Sequence, residues 1–303
     1  MVEVTFYIIR HGFSCSNLKK HKKRVFEQKL SKDPHLTNWG IIGSILAGIE
    51  LRSNIFSKIK FKYYFCSPLL RTWETAACLF APTNKMQVNV APHLREFFHK
   101  KLGKYLVTAD DTPNSFHKNQ KKFNKFKGYT LELYKRYLKL NKNSQIKRLE
   151  SEIKNIENVH VKFHKKRYSN KYTDQGDIYK FISWYLKKAK PTKNQNIAVI
   201  CHGILMKTFV KSLNKDVYNE MKKYGANNKV IKIKMVDGKI VEIQSIYDGI
   251  RYPTNNELKN IRTTCSMCKT LFSLSNTSCK NNKELLNFKV QDKFIKQKLK
   301  EIS

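Results

Sequence analysis

Four short apolar runs, residues 4–9, 61–66, 86–90 and 197–201, are rich in β-branched and aromatic side chains and are separated by longer segments of helical periodicity. That alternation predicts an α/β domain on a mainly parallel sheet. Strands covered on both faces read as continuous apolar runs, and parallel neighbours need helical crossovers between them. Helices are expected over residues 38–56, 69–80, 129–157, 174–188 and 204–214. The fourth is the most regular: Thr173 is placed to cap it, Ile178, Phe181, Ile182 and Tyr185 fall on one face, and lysines gather in its last turn. Residues 230–236 and 239–246 flank Asp237-Gly238, a pair suited to a type I′ hairpin turn, so the sheet is expected to close with an antiparallel pair.

Two regions depart from this rhythm. Between Lys100 and Lys190 there are 24 Lys or Arg and eight Asp or Glu, with few strand signals. This predicts a basic helical insertion, about residues 100–172, over one end of the sheet. After Gly249 the alternation gives way to a Lys- and Asn-rich tail with a weakly periodic end over residues 283–299. The organisation read from the chain is a three-layer αβα sandwich at 1–250, carrying the insertion, and a C-terminal extension at 251–303.

The N-terminal apolar run lacks a basic leader and meets Arg10-His11 at once, and no stretch reaches the roughly 20 apolar residues a membrane span needs. Seven cysteines, an odd number, suit free thiols in a reducing compartment, so a cytoplasmic protein with no membrane partner is expected. Sixty Lys and Arg against 23 Asp and Glu leave a net charge of +37. Such a charge points to a polyanionic partner or substrate. Only ten of the 60 are Arg, however, and the abundance of Lys, Asn, Ile, Phe and Tyr is also what AT-rich coding produces. Nucleic acid is therefore a less favoured partner, and no binding module for it is recognisable.

The residues able to do chemistry lie at strand ends. The first strand runs into Arg10-His11-Gly12, with Ser14 and Asn17 behind. The second runs into Ser67-Pro68-Leu69-Leu70-Arg71, the third into Leu94-Arg95-Glu96, and the fourth into His202-Gly203. In open α/β sheets the carboxyl ends of the strands form the ligand-binding edge. An Arg fork matches phosphate oxygens, a glycine lets the backbone approach, and a helix start adds N–H donors. Two His, two strand-end Arg and one Glu on one edge form a set sufficient for phosphoryl transfer through a phosphohistidine, with no metal or other cofactor required.

These residues resemble the histidine phosphatase superfamily, the phosphoglycerate mutase-like enzymes, from Val4 to about Ile246. The matches run in order: Arg10-His11-Gly12 with Asn17, Asp33-Pro34 and Leu36-Thr37 with Gly40, Ser67-Pro68 with Arg71 and Thr75, Leu94-Arg95-Glu96, and His202-Gly203. The resemblance implies a three-layer αβα fold in which His11 is the nucleophile that becomes phosphorylated. Arg10, Arg71 and His202, with Gly203 beside it, would bind the phosphoryl oxygens, and Asn17 would help orient the group. Glu96 would protonate the leaving oxygen and then deprotonate the attacking water.

Departures from the pattern bear on the subclass. Phe13 stands where the family often has an acidic or amide residue, and Ile204 where many mutases have a small residue or Asn. The run Phe97-Phe98-His99-Lys100-Lys101-Leu102-Gly103 lacks the Arg-His-Tyr-Gly that sugar-phosphate mutases carry. A phosphomonoester hydrolase is expected over a mutase. The 106 residues from Glu96 to His202 exceed those of compact members, so the basic insertion is expected to recognise a phosphorylated, polyanionic substrate. In the tail, Cys265-x-x-Cys268 with Cys279 supplies three of the four ligands of a structural zinc site, and free thiols are the favoured reading. Cys15 and Cys201, beside the candidate site, read as small apolar fillers.

Overall fold

The computed structural model describes residues 1–14, 17, 33, 35–96, 113–140, 144–163, 176–223, 226–254 and 283–302. Among them a seven-stranded sheet consists of β1 (Glu3–Arg10), β2 (Phe61–Cys66), β3 (Met86–Val90), β4 (Val159–Phe163), β5 (Gln195–Cys201), β6 (Val230–Val236) and β7 (Lys239–Tyr247). The order is β4-β3-β2-β5-β1-β6-β7. The first five in that order are mutually parallel, and β6 and β7 add antiparallel to the edge. Asp237 and Gly238 both take positive φ at the β6–β7 turn, as its type requires.

Alternation along the central strands sends successive residues into two separate cores, which makes the fold three-layered. In β1, Val4, Phe6 and Ile8 join Ile197, Val199, Ile231 and Ile233 on one face. Tyr7 and Ile9 join Ala198, Ile200, Val88 and Val90 on the other. The first face is covered by α5 (Ile178–Ala189), α6 (Gly203–Lys211) and α7 (Lys215–Lys223). The second is covered by α1 (Asn38–Ser53), α2 (Leu70–Phe80), α3 (Pro113–Leu140), α4 (Ser144–Asn155) and α8 (Lys283–Ile302). The expected sandwich is present, and no helix among the described residues is long and apolar enough to cross a membrane.

The helices differ from expectation in detail. The predicted 174–188 helix begins at Ile178, capped by Asp177, whose carboxylate accepts from the Lys180 amide at 3.1 Å. The capping position given to Thr173 lies outside the described residues. The four apolar positions assigned to this helix are all buried, because the 3.6-residue period survives a shifted start. Two helices, α3 and α4, occupy the insertion where one was expected over 129–157. The insertion also adds a strand to the sheet: β4 pairs with β3 from Met86↔Val159 to Val90↔Phe163. Its five residues carry exposed His160 and Lys162 on alternate positions, an edge strand's pattern that a Lys-rich context conceals.

The C-terminal helix α8 returns to the core. Phe294 stacks on Trp39 of α1 with ring centroids 4.4 Å apart, Ile295 and Leu299 are buried, and the Arg251 guanidinium lies 5.1 Å and 5.0 Å from the same two rings. Lys298 Nζ bridges Glu50 at 3.1 Å and Glu301 at 3.0 Å. Phe294→Ala should therefore cost about 3–5 kcal/mol, the range for deleting a buried aromatic ring. Urea unfolding checks this, and an unchanged midpoint would mean that α8 adds nothing to the core. Cys265, Cys268 and Cys279 lie outside the described residues.

Candidate active site

The carboxyl ends of β1, β2 and β5 adjoin because these strands are neighbours in the sheet, and Glu96 reaches the same edge through the 3₁₀ turn Pro92–Leu94 after β3. Arg71 stands at the start of α2 and His202 is the N-cap of α6. Two helix amino ends thus open onto one spot and add their positive dipole ends to its charge.

Arg71 is the hub. Its Nε donates to His11 Nε2 at 3.3 Å, and its Nη2 lies 3.2 Å from Glu96 Oε2 and 3.2 Å from His202 Nδ1. Glu96 Oε2 is itself 3.2 Å from His202 Nδ1. His202 is completely buried, with its Nε2 2.8 Å from Ser67 Oγ. The His11 ring donates from Nδ1 to the Gly12 carbonyl at 2.7 Å, which leaves the Nε2 lone pair facing the cluster. Nucleophilicity at Nε2 follows from that tautomer.

The other sequence-predicted residues stand one layer behind. The Arg10 guanidinium donates to the Ala226 carbonyl at 3.3 Å and lies over the Tyr252 ring. A side chain on Gly203 would meet Arg10 Nε at 2.7 Å, so glycine is what lets Arg10 pack against the start of α6. Asn17 Oδ1 accepts from the Ser14 amide at 3.0 Å and the Ser14 hydroxyl at 3.1 Å, which folds the segment after β1 back toward His11. Asp33 binds the Leu70 amide at 2.8 Å and Asn119 of α3 at 2.9 Å, joining the insertion to the amino end of α2. Glu74, fully buried in α2, accepts from His35 and from the Leu36 amide.

The charges act on one another. Burial, then Arg71, His202 and Arg10, hold the His11 imidazole well below its usual value near 6.5, so it is neutral across the physiological range. Burial also lowers the His202 imidazole, against the pull of Glu96. Burial pushes the Glu96 carboxyl up, but His202, Arg71 and His11 together outweigh it and keep it ionised far into acid. Burial raises Asp33 to about 6 in spite of Arg71. The Cys201 thiol is buried and pushed up, which keeps it an inert filler, while Cys15 lies outside the described residues.

His11, Glu96 and His202 each offer a ligand atom within 4.8 Å of the others, a geometry that could hold a metal ion. The Arg71 guanidinium occupies the space among them, at 3.2–3.3 Å from all three. A dication there would have to displace a buried cation, whereas an anion would meet complementary charge.

Sequence reasoning missed Asn227 and Tyr252. Asn227 Nδ2 donates to the His11 carbonyl at 2.7 Å, and Tyr252 packs against both Phe13 and Arg10. A signal existed for the first: two asparagines lie just before Lys229 and β6, the strand that pairs with β1 up to Ile9.

Fold and site define an α/β protein with a buried Arg–His–Glu cage at the carboxyl edge of a parallel sheet. Residues 6–139 match the model of the histidine phosphatase superfamily (branch 1), whose members are phosphoryl-transfer enzymes, phosphatases and mutases. The structure is similar to the phosphoglycerate mutase of Bacillus anthracis str. Sterne, at 18% identity and a TM-score of 0.43 over 81% of this chain and 93% of that one. It is similar to a phosphoserine phosphatase mutant of Entamoeba histolytica, at 17% identity and 0.41 over 80% and 95%. It is also similar to the ecdysone phosphate phosphatase of Bombix mori, at 14% identity and 0.45 over 83% and 95%. No protein of curated function matches the chain in sequence.

Proposed function

We propose that the protein hydrolyses phosphomonoesters through a phosphohistidine on His11. The observation that carries this reading is the His11 ring itself: Nδ1 is committed to Gly12, and Nε2 faces Arg71 in a cage shared with His202 and Glu96. Nε2 attacks phosphorus, the bond to the leaving oxygen breaks, and that oxygen takes a proton from Glu96. Water then attacks the phosphohistidine, giving up a proton to Glu96, and the P–N bond breaks to release phosphate and the neutral imidazole. Arg10, Arg71 and His202 hold the phosphoryl oxygens, and Asn17 and Gly203 shape the loop and helix start around them. The spread charge of a loose transition state is best stabilised by such preplaced cations.

Glu96 is ionised in the free site, so its proton must arrive with the substrate. A phosphomonoester monoanion carries one, and its second ionisation falls at about 6. Binding phosphate also neutralises the cations that depress Glu96, which favours transfer of that proton to the carboxylate. The profile follows in sign. Above about pH 6 the monoanion is depleted and kcat/KM falls about tenfold per pH unit. The acid limb, set by protonation of His11, lies below the ordinary imidazole value because that group is depressed. An optimum on the acid side of neutrality is expected in a pH–rate series, and one above pH 8 would contradict the proton assignment.

The basic insertion fits a substrate bearing more than one anionic group. The α3 helix touches the amino end of α2 through Asn119 and Asp33, and the Lys122 charge is felt at Asp33. For a polyphosphorylated substrate kcat/KM should fall steeply as ionic strength rises, with little change for a small monoester. Equal responses would remove the lysines from recognition. Phosphate release from a panel of phosphomonoesters, with EDTA present, tests the function as a whole. Release from none of them, or efficient phosphoglycerate mutase activity in place of hydrolysis, would overturn it.

A further inference from the structure

We infer that Asn227 is a positioning residue for the His11 nucleophile, an inference that rests on the phosphohistidine reading. β6 pairs with β1 as far as Ile9↔Val230, and the chain just before β6 continues past that register to enclose the next two residues, Arg10 and His11. The Arg10 amide donates to the Lys229 carbonyl at 2.9 Å, and the Asn228 amide donates to the Arg10 carbonyl at 3.1 Å. The Arg10 guanidinium reaches the Ala226 carbonyl at 3.3 Å. Within this enclosure Asn227, 2% exposed, donates from Nδ2 to the His11 carbonyl at 2.7 Å and lies 3.5 Å from Asn17 Oδ1.

That carbonyl belongs to the peptide joining His11 to Gly12. The N–H of the same peptide donates to Thr75 Oγ1 at 2.9 Å, so the plane is held on both edges, by Asn227 on one side and Thr75 on the other. The ring depends on it, because His11 Nδ1 is anchored to the next carbonyl, that of Gly12. Rotation of the 11–12 peptide would move the anchor and swing Nε2 away from Arg71. Asn227 Oδ1 is buried and accepts no hydrogen bond among the described residues. Stability alone would favour an apolar side chain over such a carboxamide, and it is the donor half that has a use. The pairing of two acceptors, His11 O and Asn17 Oδ1, around Nδ2 also assigns the amide orientation.

The test compares Asn227→Ala and Asn227→Asp in the full chain. Misplacing a nucleophile by about 1 Å costs on the order of 100-fold in rate, so the alanine variant should lose about that in kcat, with KM within about twofold. At pH 8 the aspartate variant should be at least as impaired, since an ionised carboxylate faces two acceptor oxygens. At pH 5 its carboxyl, buried and facing oxygens, is protonated and regains a donor. Its activity relative to the alanine variant should then rise about tenfold, a recovery that a merely structural role would not produce. If either variant fails to fold, Thr75→Val removes the other half of the clamp and should show the same kcat loss at constant KM. Folded variants with kcat within twofold of the parent would overturn the inference while leaving the phosphohistidine reading intact. A parent protein that forms no phosphohistidine would overturn that reading instead. The positioning role is then read from the His11 ring resonances by NMR, where no shift in the aspartate variant would end it.

Discussion

His11→Ala is expected to abolish turnover, lowering kcat by about 10⁴-fold or more, as removal of a covalent nucleophile does elsewhere. Nothing else in the cage can substitute. His202 is turned toward Ser67 and Glu96, and the Cys201 thiol is held protonated by burial. Brief exposure to a labelled phosphomonoester should leave an acid-labile phosphoryl group on the parent protein and none on the variant. Turnover and labelling must vanish together, because the label is the intermediate. Near-normal activity in a folded His11→Ala protein would remove His11 from the mechanism and leave the cage as an anion-binding site only.

Arg71→Ala should be nearly as damaging, for a different reason. The guanidinium is the common neighbour of His11, Glu96 and His202, and deleting a preplaced donor to a charged transition state costs about 10²–10³-fold. The loss in kcat/KM should lie at the upper end, since three partners lose one cation. It should also alter pH dependence in a predictable direction. Among charges, Arg71 is the main one depressing His11, so its removal raises that imidazole toward its ordinary value and moves the acid limb of the profile upward. Glu96, relieved of the same cation, also rises. Arg71→Lys keeps the charge but not the fork and cannot reach all three partners, so it should restore the pH profile more than the rate. A loss under tenfold for Arg71→Ala, with an unmoved acid limb, would show that the cage does not work through this residue.

Much of this protein is local enough to be legible in one dimension. Continuous apolar runs in residues 4–9 and 197–201 mark doubly covered strands, and Asp237-Gly238 marks its hairpin, because pleat and turn chemistry depend only on near neighbours. The four cage residues could also be found, since each directly follows a strand or its turn, and in a parallel sheet all such ends share an edge. Tertiary structure decided the rest. Arg71 as a three-way hub, the tautomer of His11 and the ionised state of Glu96 arise between residues as far apart as 71 and 202, where burial and charge compete at distances of about 3 Å. β4 was hidden because an edge strand needs little apolar sequence of its own. Its partner β3 supplies the pairing. The return of α8 onto Trp39 left no trace in the sequence, and the asparagines before β6 marked a place without a partner, because the energy of each contact comes from a surface more than 200 residues away in the chain.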